Sequence, residues 1–199
     1  MSKFEDLDEL MFAHAGMIHT SQVWEAGISK SRFYDYVQRG NLLQVAPSIY
    51  AAGEDCVDPI YLIHLRCIQA IFSHETALFL HDLILQEPSH YSITVGNGYN
   101  PSNLRSEQIQ IYTVKRELYE LGAVSVRTPM GHVVPAYGTE RTICDLIRSR
   151  SRIDEQVIRN VLKQYFQSRD RKPEVLRNYA KKFRVDKVLL QYLKELSFL

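Results

Sequence analysis

The sequence is most informative at first in what it lacks. It has three cysteines, Cys56, Cys67 and Cys144, far apart and with no Cys-x-x-Cys pair. Such an odd set reads as reduced, buried thiols of a cytoplasmic protein and offers no structural zinc site. No segment approaches the ~18 apolar residues that a membrane span needs. The opening MSKFEDLDEL is acidic and mixed, unlike a signal peptide. Catalytic signatures are missing as well. There is no Gly-x-Ser-x-Gly elbow and no His-Glu-x-x-His. No Gly-Ser pair is followed by the paired aspartates that hold magnesium in a nucleotidyltransferase. The Asp/Glu-x-Lys of a restriction-type nuclease occurs only at Asp170-Arg171-Lys172, in an expected interhelical loop, with no carboxylate cluster beside it. Gly96-Asn97-Gly98 lacks the Gly-Lys-Ser/Thr of a P-loop and reads as a strand-ending turn. The chain therefore reads as non-catalytic, with no cofactor and no metal.

The 199 residues are 45% hydrophobic and 24% charged, an ordinary globular composition sufficient for one large or two small domains. The net charge of +1 hides a strong asymmetry. Residues 1–55 carry four Lys/Arg against eight Asp/Glu, residues 56–139 five against seven, and residues 140–199 fifteen against eight.

The stretch around which the rest is organised is residues 17–51. A short helix over 21–26, with Thr20 as its cap, is stopped by Gly27, which takes the left-handed conformation at no steric cost. Ser29 caps a second helix over 30–39, and Gly40 ends it. Ile28 and Phe33 have the spacing of a hydrophobic staple. Phe33, Tyr36 and Val37 form the inner side of this helix. The outer side holds Lys30, Ser31, Arg32, Tyr34, Gln38 and Arg39, with Asp35 among them. A donor-rich face of this kind suits the base edges of a major groove. Residues 42–45 and 48–51 flank Ala46-Pro47 and read as a hairpin wing. Ser2-Lys3-Phe4-Glu5 reads as a capping box for an opening helix, with Phe4, Leu7, Leu10 and Met11 as its inner stripe. Helix, helix, helix, hairpin is the order of a winged helix-turn-helix. The acidic balance of residues 1–55 counts against strong nonspecific DNA binding.

The polar stretch 53–59, GEDCVDP, reads as a domain boundary. Beyond it, helices are expected over 60–70 and 73–85. His74, Glu75, His81 and Asp82 could tempt a metal assignment, but a helix capped by Ser73 with an Ala77, Leu78 and Leu85 stripe explains them better. Strands are expected over 91–95, 108–114, 123–128 and 132–137. Thr139 is the expected cap of a helix on which Arg141 and Asp145 are spaced to pair. Three further amphipathic helices form a bundle. Their polar faces, with the helix opened by Thr139, present Arg141, Arg148, Arg159, Lys163, Arg177, Lys181 and Lys182. This is either a solvated basic face or a polyanion surface. The expected fold class is α+β, with a winged helix-turn-helix over 1–55 followed by a mixed α/β domain over 56–199 that ends in a helical bundle.

Four places carry a family resemblance. They are Gly27-Ile28-Ser29 with Arg39-Gly40-Asn41-Leu42, the wing end Ser48-Ile49-Tyr50-Ala51, Ser73-His74-Glu75-Thr76-Ala77-Leu78 with His81-Asp82-Leu83, and Glu140-Arg141-Thr142-Ile143-Cys144-Asp145-Leu146-Ile147-Arg148. In these the chain resembles the AbiEi antitoxins of bacterial abortive-infection toxin–antitoxin systems. It departs from them in a wing without basic residues and in Ser48 at the usual wing glycine. The resemblance implies a cytoplasmic autorepressor that binds inverted repeats in its own double-stranded promoter DNA. It also implies that the C-terminal domain counters a nucleotidyltransferase-like toxin, in the type IV manner, without a stable complex. The residues taken alone reach only a winged-helix DNA binder fused to a basic α+β domain. They leave open a DNA-targeting nuclease and a regulator that senses a small ligand between helices.

Overall fold

The computed structural model describes residues 4–101, 104 and 108–197. Among these are ten α-helices and eight strands in two sheets, a mixed α+β architecture. The expected capping box at Ser2 and Lys3 falls outside the described residues. No described helix is long and apolar enough to cross a membrane. The chain divides into two units, residues 1–68 with 127–134 and residues 69–126 with 135–199.

In the first unit the order is α1 (Glu5–Ala13), β1 (Met17–His19), α2 (Thr20–Glu25), α3 (Lys30–Tyr36), β2 (Leu43–Ala46), β3 (Ile49–Ala51) and α4 (Pro59–Arg66). The three strands form one sheet in the order β1-β3-β2, antiparallel throughout. Its core joins Phe4, Leu7 and Met11 of α1 to Ile18, Val23, Phe33, Tyr36, Leu42 and Tyr50. The α2 cap is His19 rather than the expected Thr20. The His19 ring accepts from the Ser21 amide at 3.1 Å, and the Gln22 side chain accepts from the His19 amide at 2.8 Å. Thr20 lies inside the helix because its amide donates to the Ser48 carbonyl at 2.8 Å, tying the β2–β3 turn to α2.

The first unit runs on to Ile68, so the expected boundary stretch 53–59 lies within it. Asp58 is 1% exposed and holds this unit together. Its carboxylate caps α4, accepting from the Ile60 and Tyr61 amides at 3.0 Å each. It also accepts from the Thr128 hydroxyl at 2.5 Å and faces His132 Nδ1 at 2.8 Å. Tyr61 stacks on the His132 ring at 4.1 Å. A polar residue in a Pro/Gly-punctuated stretch looks solvated in sequence. Here it is buried because it has four donors.

In the second unit the five strands are β4 (Ile71–Phe72), β5 (Tyr91–Gly96), β6 (Ile109–Val114), β7 (Ala123–Arg127) and β8 (Val133–Tyr137), in the order β6-β5-β4-β8-β7. β5 and β6 run parallel in register, Tyr91 opposite Ile109 and Gly96 opposite Val114. The helices are α5 (His74–Leu80), α6 (Arg116–Tyr119), α7 (Thr139–Arg148), α8 (Glu155–Gln167), α9 (Pro173–Lys182) and α10 (Asp186–Glu195). One core gathers Ile143, Leu146 and Ile147 of α7 with Val161, Tyr165, Leu176, Ala180, Leu189 and Leu193 of α8 to α10. α5 ends five residues earlier than expected, as Asp82 turns left-handed at φ 56°. Leu85 is consequently 93% exposed rather than part of the α5 stripe.

Candidate nucleic-acid interface

α3 is presented by what packs beneath it. Gly27, at φ 78°, ends α2. The Ser29 hydroxyl then caps α3, accepting from the Arg32 amide at 3.3 Å. Phe33 is fully buried, edge-on to Tyr50 of β3 at 5.0 Å and to Trp24 of α2 at 5.6 Å. Tyr36 is buried on Phe4, and its hydroxyl donates to Asp8 of α1 at 2.5 Å. Burial, reinforced by the Asp8 carboxylate, pushes the Tyr36 phenol far above its usual range, so it stays a donor. After Tyr36 the helix widens into one looser turn over Val37–Asn41, where Gly40 at φ 79° swings the chain into β2. A non-glycine residue there would be strained.

The expected outer face splits in two. Lys30, Ser31 and Tyr34 of α3 are exposed and, at 100° per residue, share an arc of about 100°, and Gln38 is exposed in the looser turn that follows. Arg32 and Arg39 occupy the neighbouring flank, toward α1. Arg32 donates to Asp6 of α1 at 2.8 Å and Arg39 to Asp35 at 3.1 Å. Both guanidinium groups approach the Phe4 ring, at 5.9 and 5.4 Å. Asp6 of α1 and Asp35 of α3 thus compete with DNA for Arg32 and Arg39. Pairs this exposed are worth only about 0–1 kcal/mol each, so a phosphate or a guanine edge can displace the carboxylate. The β2–β3 turn carries no cation, and Ser48 sits at φ 63°, a region that favours glycine.

In the second unit the expected basic residues separate into three groups. Arg141 was expected on the polar face of α7 and is instead completely buried. It bonds Asp145 at 2.8 Å, donates to the Leu118 and Leu121 carbonyls at 2.7 and 2.5 Å, and lies between the Tyr137 and Phe183 rings at 3.8 and 4.2 Å. Burial pushes the Asp145 carboxyl up, and the Arg141 charge opposes that rise. Gly122 makes room for this arrangement, since a Cβ there would lie 2.7 Å from Arg141 Cβ. Arg159 is neutralised from both sides by Glu155 and Glu195, each at 2.6 Å, and Arg177 lies 3.6 Å from Glu174. Arg148, Lys163, Lys181 and Lys182 are exposed.

Arg148 and Lys182 come together in a cleft of about 590 Å³ with two cations that the sequence reading passed over, Lys115 and Arg184. Arg184 lies two residues after Lys182 in the run Lys181-Lys182-Phe183-Arg184, and that run was its only local signal. Lys115 follows β6 with Arg116 next to it, too short a run to mark a basic site. Elsewhere in this unit, His74 is buried at φ 49°, stacked on Tyr112 at 3.5 Å and bonded to the Ser73 and Ser149 hydroxyls at 2.9 and 3.0 Å. Burial, with Arg148, Arg141 and Arg152 nearby, lowers its pKa to about 3 and keeps the ring neutral.

No protein-family model matches the chain, and no curated protein matches it. The fold is similar to a solved structure described as the crystal structure of RV2827C protein from Mycobacterium tuberculosis, at 14% sequence identity and a TM-score of 0.53. The similarity covers 83% of this chain and 66% of that one, just under two thirds of the neighbour's length, and it is a likeness of fold alone.

Proposed function

We propose that the protein is a DNA-binding autorepressor and antitoxin. Its N-terminal unit acts as a winged helix-turn-helix on inverted repeats in its own promoter. The observation that carries the DNA reading is the exposed arc of Lys30, Ser31 and Tyr34, followed by Gln38, on a helix anchored by Phe33 and Tyr36. The order α1-β1-α2-α3-β2-β3, with β1 pairing to β3, is consistent with it. Arg32 and Arg39 join the contact by leaving Asp6 and Asp35. The wing, apolar and uncharged, adds shape and little charge. The antitoxin half rests on the AbiEi resemblance. On that reading, the second unit counters a nucleotidyltransferase-like toxin in the cytoplasm without a stable complex, as part of phage defence. Lys163, Lys181 and Lys182 are its exposed basic residues.

One test addresses both halves with the full-length chain, expressed from an unrelated promoter in cells carrying a promoter–reporter fusion and an inducible nucleotidyltransferase-like toxin gene taken from the same operon. Ser31→Ala with Gln38→Ala is expected to abolish repression and to leave rescue intact. Loss of neither would remove α3 as the reading element, and absence of rescue by the unaltered protein would remove the antitoxin assignment. A ligand-sensing regulator is the second reading. It is favoured by a mostly apolar cavity of about 300 Å³ among α8, α9 and α10, lined by Leu176, Leu189 and Leu193.

A further inference from the structure

We propose that the basic cleft of the second unit binds the oligophosphate group of a small molecule of the nucleoside triphosphate class, an activity separate from promoter recognition. Four segments that are remote in sequence converge on the cleft. They are the turn after β5 with Asn97, the end of β6 with Thr113 and Lys115, the last residue of α7, Arg148, and the end of α9 with Lys182 and Arg184. The cleft lies at the carboxyl ends of β5 and β6, which run parallel. Crevices outside the carboxyl ends of parallel strands are where such sheets hold ligands. Its volume of about 590 Å³ falls within the ~300–1,000 Å³ of small-molecule sites and exceeds what a bare phosphate fills.

The charge balance favours an oligophosphate. Four cations, Lys115, Arg148, Lys182 and Arg184, face one carboxylate, Glu117, which lies 4.0 Å from Lys115. Among the described residues, Lys182 and Arg184 form no ion pair. The carboxyl ends of α7 and α9 contribute roughly −0.5 each, so the cleft retains a charge of about +2. Arg148 is held in place by donating to the Thr113 carbonyl at 3.0 Å and by lying 6.0 Å above the Phe183 ring. Its remaining N–H groups suit a bidentate phosphate contact. A concave cleft with cations on separate walls can surround a small polyanion. A cleft of about 590 Å³ has the size of a small-molecule site and does not admit the width of a duplex.

Isothermal titration of the full-length protein tests this, with inorganic triphosphate, ATP, AMP and a short DNA duplex of unrelated sequence as probes. Triphosphate and ATP are expected to bind saturably at one site with Kd below about 1 mM, at least tenfold tighter than AMP. Lys115→Ala with Lys182→Ala, both at exposed positions, should weaken triphosphate at least tenfold. Glu117→Gln should tighten it. Lys187→Ala with Lys194→Ala removes the same charge from α10, outside the cleft, and should leave the affinity within twofold. Four results would overturn the assignment: no saturable triphosphate binding, equal weakening by both double variants, no tightening by Glu117→Gln, or duplex binding that the cleft variants abolish while triphosphate does not bind.

Discussion

Three buried side chains in the second unit, Arg141, Asp145 and His74, set the strongest expectations at the scale of the residue. Arg141 and Asp145 are an i,i+4 pair that in sequence looks like any surface pair on a helix. Its burial comes from Leu118, Leu121 and Phe183, remote in the chain, together with Tyr137 just before α7, so the i,i+4 spacing alone could not reveal it. Removing one partner strands the other in a low-dielectric interior. Arg141→Ala should therefore cost about 3–5 kcal/mol in urea unfolding, while replacing both residues by leucine should recover much of that loss. A double change that costs the sum of the two single changes would show that the pair is not coupled. His74 makes a pH prediction. It is neutral in the fold, with its pKa lowered to about 3, and it binds a proton on unfolding below its ordinary 6.5. The unfolded state then holds more protons, so stability falls as pH drops from 6.5 toward 3, at up to about 1.4 kcal/mol per unit from this group. His74→Asn keeps a residue that tolerates φ 49°, and urea midpoints between pH 7 and 4 should fall less steeply for it than for the unaltered chain.

Legibility in sequence at the scale of the element followed length and period. The α3 cap at Ser29, the stop at Gly40, the strands β5 to β8 and the helices α7 to α10 announced themselves by period and punctuation. β1, β4 and α6 did not, at three, two and four residues, because no period can be read over so short a run. Met17 and Ile18 are both fully buried, so β1 lacks even the alternation of a half-buried strand. The α1–α3 relation was also hidden, since sequence gives charges without their facing. Asp6 occupies Arg32, so Asp6→Ala should free the guanidinium and tighten promoter binding two- to fivefold, about 0.4–1 kcal/mol. Fluorescence anisotropy would read the change, and weaker binding would mean that Asp6 positions Arg32 productively. In the β2–β3 turn, Ser48→Gly should raise stability by up to about 1 kcal/mol by relieving the left-handed strain at φ 63°.

The two units organise the whole molecule differently from the boundary that the sequence suggests. Asp58, Tyr61, Thr128 and His132 belong to the first unit, so cutting the chain at residue 55 would strip α4 and these residues from it and break the His132 contact with the His14 carbonyl. Full-length variants are the sound way to separate the two proposed activities. The charge asymmetry was legible at this scale, but its distribution was not. Of the basic residues expected on one face, Arg141 is internal, Arg159 is neutralised, and Arg148 and Lys182 meet Lys115 and Arg184 in a cleft. The central claim remains that the exposed arc of α3 reads a specific DNA sequence, and one measurement bears on it most directly. Anisotropy titrations of the full-length protein at 150 mM salt would compare its own promoter with a shuffled duplex, for the unaltered chain and for Tyr34→Ala with Gln38→Ala. The account predicts a preference for the promoter of at least about 10³-fold, reduced at least tenfold by the double change while shuffled DNA is bound as before. Equal affinity for both duplexes, or a preference untouched by the double change, would contradict it.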